Sequence, residues 1–271
     1  MIPSISFRKP EQWALEPGLT EAREAWRFFE QSEIGPGAVW PMWEGSPASD
    51  GGGVNLAQNQ VAFSPAGDLW SPGSIEWSLG FGGLGLRNPD SSQISADFLS
   101  ARADWWHDSF TQHTAIAVAS LESSNEVSKP SLLFSFGATR NGFGIGFGDV
   151  ERKILFAVTN NDTKWQVESD KIGPPFGPIA VGAKYDKGDL KLFINGSLVA
   201  QRSDGPSSVG SHGINPKALG STENAPFLED GSERGWNGAL EFLAATHYAI
   251  PDDWLRQLTT DPYSLIRPVE F

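Results

Sequence analysis

Ile179-Ala180-Val181-Gly182-Ala183-Lys184-Tyr185-Asp186-Lys187-Gly188-Asp189-Leu190-Lys191-Leu192-Phe193-Ile194-Asn195-Gly196-Ser197-Leu198-Val199 reads as three strands joined by two tight turns. Ile179, Val181, Ala183 and Tyr185 fall on one face of a period-two pattern, and Leu190, Leu192 and Ile194 on one face of the next. Asp186-Lys187-Gly188 turns the chain between them. Asn195-Gly196 is a hairpin signal, because both central positions of such a turn need a backbone that tolerates positive φ. Consecutive antiparallel strands at this spacing point to an all-β domain.

The same period extends outward. Ile116 and Val118 alternate with alanines in Thr114 to Leu121, and Leu132, Phe134 and Phe136 stand opposite Leu133 and Ser135. Phe143, Ile145 and Phe147 alternate with Gly142, Gly144, Gly146 and Gly148. Ile154/Phe156/Val158 and Leu240/Phe242/Ala244 complete the set, each bounded by Gly, Pro, Asn or Asp. Trp40 to about Arg102 is broken by Gly51-Gly52-Gly53, Pro65, Pro72 and Asn88-Pro89, yet carries Trp40, Trp43, Phe63, Trp70, Trp77 and Phe81. That composition predicts edge strands and long loops of the same domain. Helical spacing occurs at Leu19 to Glu33 and at Asp252 to Leu258, the latter opened by Pro251 and stopped before Asp261-Pro262. The expected organisation is an N-terminal helical arm at 1–35, an antiparallel β-sandwich at 36–262, and a tail at 263–271 packed on the sandwich.

Charge and composition exclude several functions. The 271 residues hold 20 Lys+Arg against 33 Asp+Glu, a formal net charge of −13 with no basic cluster, so a nucleic-acid partner is excluded on electrostatic grounds. Cys is absent, which removes disulfides, thiolate metal sites and a Cys nucleophile. No apolar run approaches the roughly 20 residues of a membrane span, and the first ten residues lack a signal-peptide core. The expectation is a soluble protein made in a cytoplasm and not inserted in membrane.

Tyr185-Asp186-x-Gly188-x-Leu190-x-Leu192-Phe193-x-Asn195-Gly196, then Leu219-Gly220, then Trp236-x-Gly238-x-Leu240, resembles laminin G-like domains of the concanavalin A-like jelly-roll superfamily. Ala249-Ile250-Pro251-Asp252-Asp253-Trp254-Leu255-Arg256-Gln257-Leu258 with Asp261-Pro262-Tyr263 is similar to the ending of versions carried by tailed phages and prophages, with Pro251 where Ser or Thr is usual. The resemblance spans roughly Trp40 to Pro268. It implies a concanavalin A-like sandwich and a non-enzymatic virion protein: a head decoration, tail or fibre-associated module. Other virion proteins of capsid or tail would be its partners, with a homo-oligomeric state and a virion location. Trp13, Trp26, Phe28 and Phe29 in the N-terminal arm are then the candidate assembly contacts.

Catalytic patterns are missing from the sequence. A glycosidase of this architecture needs two carboxylates about 5–9.5 Å apart, whereas the strand-borne acids Glu76, Glu122, Glu168 and Glu241 stand singly, with Glu241 expected on a solvated face. There is no Gly-x-Ser-x-Gly elbow, no His-Glu-x-x-His and no phosphate loop, and His107, His113, His212 and His247 keep no fixed spacing to Ser or Asp. The alternative function is a glycan-binding adhesin module, assisted by calcium or not. Trp105-Trp106-His107 is its candidate sugar-stacking cluster, since adjacent strand aromatics point to opposite faces and one can be exposed. Asp186, Asp189 and Asp230 are candidate calcium ligands in a fold whose loops can supply oxygens, against the simpler reading of solvated turns. No cofactor is required by either reading. The glycine-faced strand reads as a sheet face left bare for a covering segment, or as a flat sugar platform.

Overall fold

The computed structural model describes residues 37–40, 48–49, 54–57, 69–71, 75–79, 84–87, 99–101, 108–121, 131–137, 140–148, 152–172, 176–212, 217–219, 236 and 238–265. Their strands are β1 (Gly37–Trp40), β2 (Ala48–Ser49), β3 (Val54–Ala57), β4 (Leu69–Ser71), β5 (Glu76–Leu79), β6 (Leu84–Arg87), β7 (Leu99–Ala101), β8 (Gln112–Leu121), β9 (Ser131–Gly137), β10 (Asn141–Gly148), β11 (Lys153–Asn160), β12 (Thr163–Glu168), β13 (Phe176–Asp186), β14 (Asp189–Ile194), β15 (Ser197–Arg202), β16 (Lys217–Ala218) and β17 (Ala239–Thr246). The helix α1 (Asp252–Thr260) and a 3-10 turn (Pro262–Leu265) follow. Two antiparallel sheets form. One runs β15-β14-β13-β8-β17-β6-β5 with β1 also on β17; the other runs β12-β11-β10-β9-β16-β7-β4-β3-β2. The chain is an all-β antiparallel sandwich, as its period-two runs predict.

The main core lies between the sheets. Phe134, Phe136, Phe143, Phe147 and Phe156 of the second sheet meet Tyr185, Leu190, Leu192 and Ile194 of the first, all with no exposed surface. Each fully buried side chain of this size contributes about 1.5–3 kcal/mol. Trp236 closes the core against Phe147, with ring centroids 6.5 Å apart, and donates from Nε1 to the Ser120 carbonyl at 2.8 Å. A Cβ on Gly238 would lie 1.9 Å from that same carbonyl oxygen, so only glycine lets the two chains pass.

A second, smaller core covers the outer face of the first sheet. Ile116, Val118, Ala180, Phe193, Phe242 and Ala244 point away from the main core and meet Leu255 of α1 and Tyr263 of the 3-10 turn. The helix is held electrostatically as well. Asp252 accepts from Lys184 Nζ at 2.6 Å and from Lys191 Nζ, and burial of the carboxyl is outweighed by these two ammonium groups, so its pKa is lowered. Pro251 caps α1 without a side-chain hydrogen bond.

Two of the register shifts among the described strands decide which side chains enter which core. The register of β9 on β10 shifts between Ile145 and Gly146, so Leu133 joins Phe134 in the main core. The register of β17 on β8 shifts between Leu240 and Phe242, which places Leu240 in the main core and Phe242 and Ala244 in the second. Glu241 sits at that bulge with 0 % exposure, not on a solvated face. Burial, and then the neighbouring Glu241 carboxylate, raise the Tyr263 hydroxyl above its ordinary value. A carboxylate without exposed surface cannot reach a glycosidic oxygen, which removes Glu241 as a catalytic acid.

Gly142, Gly144 and Gly146 are buried, as are Ser135 and Ala157 beside them. The glycine face is therefore a covered sheet face and not an open sugar platform. The N-terminal helix expected at Leu19 to Glu33 lies outside the described residues.

Candidate functional site

Topology brings six connections to one end of the sandwich. β8 begins there and β17 ends there, and the β9–β10, β11–β12 and β13–β14 turns and the exit of β15 are its other members. The turns follow the local chemistry of the sequence. Lys187, Asn161 and Asp162 adopt φ of 48°, 50° and 62°, the left-handed region that Asn, Asp and Gly-flanked positions tolerate best.

Residues 203–212 form a strap across this end, from the first sheet to the second. Gly205 N donates to Gly188 O at 3.0 Å, and Pro206 O accepts from the Tyr185 hydroxyl. Val209 and Phe110 exchange both backbone hydrogen bonds, at 3.0 and 2.8 Å. Gly210 N then donates to Asn160 Oδ1 at 3.0 Å, and Ser211 O accepts from Asn141 Nδ2 at 3.1 Å. Arg202 and Asp204 form a two-pronged ion pair at 2.6 and 2.7 Å where the strap leaves β15. Burial pushes the Tyr185 hydroxyl up to about 12, with Asp186 adding to the effect, so it stays a neutral donor.

Beneath the strap lies a ring cluster that sequence spacing does not reveal. His113 has 0 % exposure and packs against Phe136 and Phe143, with centroids 4.3 and 4.6 Å away. Its Nδ1 lies 3.4 Å from Nδ1 of His247, and His212 of the strap stands 5.5 Å from Phe136. Burial lowers the His113 pKa well below its ordinary value, and the His247 and His212 charges lower it further. Burial, then His212, brings His247 down to about 4. His113 and His247 meet because Thr114 pairs with Thr246 on adjacent antiparallel strands. That pairing, 132 residues apart in sequence, is the only signal that could have joined them.

The residues singled out from sequence divide as follows. Asp186 and Asp189 face each other at the closing pair of the β13–β14 hairpin, and Gln112 Nε2 donates to Asp186 Oδ1 at 2.9 Å. Among the described residues no group of three or more His, Asp or Glu side chains is placed to hold a metal ion. Asp230, the third calcium candidate, lies outside the described residues, as do Trp105, Trp106, His107, Trp13, Trp26, Phe28 and Phe29. Asp108, the residue after His107, is exposed at the loop end, two positions before Phe110 enters the ring cluster. Glu168, another strand acid, is tied to Lys153 at 2.7 Å.

No family model and no curated protein matches this sequence. Solved structures do. The binding domain of Paraclostridial Mosquitocidal Protein 1 matches with a TM-score of 0.55 at 9% identity, over 85% of this chain and 53% of that one. That likeness is one of fold. Domain 4 of AbnA, a GH43 extracellular arabinanase from Geobacillus stearothermophilus, in complex with arabinotriose, matches with a TM-score of 0.49 at 15% identity, over 69% of this chain and 82% of that one. The Ruminococcus gnavus IT-sialidase CBM40 bound to α2,3 sialyllactose matches with a TM-score of 0.45 at 19% identity, over 55% and 83%.

Proposed function

We propose that this chain is a non-enzymatic glycan-binding module whose sugar site lies at the loop end of the sandwich. The observation that supports this most is the convergence of six connections at one end, with the Trp105-Trp106-His107 segment leading directly into exposed Asp108 there. Loops grouped on a rigid scaffold are where recognition residues concentrate. A sugar ring presents C–H faces that stack on an indole, and hydroxyls that the exposed amides and carboxylates of this end can bond. The fold shared with a toxin's binding domain is consistent with a module that binds and does not catalyse. Burial of Glu241 removes one of the strand-borne carboxylates from catalytic use. A calcium-assisted form of this site would draw on Asp186 and Asp189 of the β13–β14 turn, with Asp230 as the third candidate ligand.

A glycan array read with and without calcium tests this. The chain is expected to bind a defined set of neutral or cell-surface oligosaccharides, and a Trp105→Ala/Trp106→Ala variant with an unchanged melting curve to bind them at least about tenfold more weakly. Silence of the whole array under both conditions would refute it.

A virion location is a second reading. It rests on the resemblance of Ala249 to Leu258 and Asp261-Pro262-Tyr263 to the ending of phage-borne versions of the fold, the segment that forms α1 and the 3-10 turn. Under this reading the module is displayed on a phage or prophage particle, with the N-terminal arm docking to capsid, tail or sister subunits. Mass spectrometry of purified particles tests it, and absence of the chain from them rejects it.

A further inference from the structure

Three histidines converge where a sandwich core ordinarily holds only hydrocarbon. His113 on β8 and His247 just after β17 face each other inside a cage of Phe110, Phe136 and Phe143, and His212 reaches the same cage from the strap. Two Nδ1 atoms at 3.4 Å are compatible when one ring donates N–H and the other accepts. When both rings are protonated, two N–H groups and two positive charges face each other, with His113 wholly buried and His247 half-buried. We propose that His113, His247 and His212 form an acid-operated latch, in which protonation of this cluster, centred on buried His113, releases the 203–212 strap and opens the loop end of the sandwich.

The surroundings favour release over accommodation of the charge. From β13 the titratable groups facing this region are Tyr185, neutral throughout the acid range, and Asp186, engaged by Gln112 at the hairpin turn. The packed elements β9 and β10 contribute Phe136 and Phe143, which carry no charge. On the strap Asp204 is occupied by Arg202, and Asp108 before β8 is exposed to water. Burial first, and then the like-sign charges of His247 and His212, disfavour protonation of His113. Lifting the strap removes His212 and admits water to His113.

The linkage has a definite sign. A histidine that is held neutral when the strap is closed, and titrates near 6.5 when it is open, shifts the equilibrium toward the open form as pH falls below 6.5. The shift is about tenfold per pH unit for each histidine, and ends once the closed form also binds the proton. Two histidines acting together give about a hundredfold per unit. The strap is the element that yields because its ties to the body are a few backbone and side-chain hydrogen bonds and one buried apolar side chain, Val209, whereas β8, β10 and β13 are paired on both sides.

Hydrogen exchange of the full chain at pH 7, 6, 5 and 4.5, corrected for intrinsic exchange rates, tests the latch. The expected result is at least a tenfold loss of protection for amides of residues 205–212 between pH 6.5 and 4.5, while β10 and β11 amides keep theirs. His113→Phe/His247→Phe retains the ring packing without a titrating group and is expected to keep the strap closed at pH 4.5. His212→Gln, on the strap itself, is expected to shift the opening to lower pH if the double variant does not fold. Loss of protection in the strap that only tracks a global loss in β10 and β11 would overturn the proposal. So would acid opening that persists unchanged in His212→Gln or in the folded double variant.

Discussion

The docking of α1 on the first sheet depends on a glycine, and Gly182→Ala probes it. A Cβ at this position would lie 2.6 Å from Thr259 Cγ2 and 2.9 Å from Leu255 Cδ1, where ordinary carbon contacts are about 3.5–4.0 Å. Two effects of the substitution oppose each other. Alanine restricts the unfolded chain and would stabilise by about 0.4–1 kcal/mol. Against this, Leu255 and Thr259 are both fully buried, so the helix must retreat by roughly 1 Å, an overpacking that costs about 1–3 kcal/mol. The steric term wins, and Gly182→Ala is expected to destabilise in urea unfolding followed by tryptophan fluorescence. Thr259→Ser in the same background removes the nearer methyl but keeps Oγ1, which accepts from Gly196 N at 3.2 Å. The two substitutions should then be non-additive by about 0.5 kcal/mol or more, the double variant being less damaged than the sum. A neutral or stabilising Gly182→Ala, or strict additivity with Thr259→Ser, would refute the close seating of the helix.

Other expectations follow from the same packing. Gly238→Ala would drive a methyl to 1.9 Å from a backbone oxygen that cannot rotate away, so loss of more than about 4 kcal/mol is expected, seen as failure to recover folded protein by circular dichroism. Asp252→Asn removes the carboxylate shared by Lys184 and Lys191. Because the folded-state pKa of Asp252 is lowered, its contribution is present above the ordinary carboxylate value of 3.8 and fades as pH falls through the folded value. Asp252→Asn should therefore melt below wild type at pH 7, and the gap should begin to close only as pH falls below 3.8.

The strands were legible because their chemistry is local. Asn195-Gly196 forms the expected hairpin with φ of 48° and 78°, and Trp236-x-Gly238 packs and passes close as its residue types require. Asp252 to Leu258 is helical, extended to Thr260. What sequence could not show is which side of a strand faces which layer. In β8 the alanines face the main core, while Ile116 and Val118 serve a second core whose cover arrives more than a hundred residues later. Period two alone cannot distinguish an outer face in water from one beneath a helix. Glu241 was misplaced for the same reason, compounded by a bulge that shifts the count by one. The histidine cluster was invisible because it depends on long-range pairing. The loop end was legible only in part: Asp186 and Asp189 are in the turn their spacing indicates, but no motif told which turns share an end.

Amide chemical-shift mapping with the best-binding oligosaccharide from the glycan array tests the central claim most directly. The account predicts saturable shifts grouped at Asp108, Asn141, Asn161, Lys187 and Ser211, the exposed and partly buried members of the loop end. Shifts centred instead on α1 around Trp254, or on β10 and its glycine face, would contradict it.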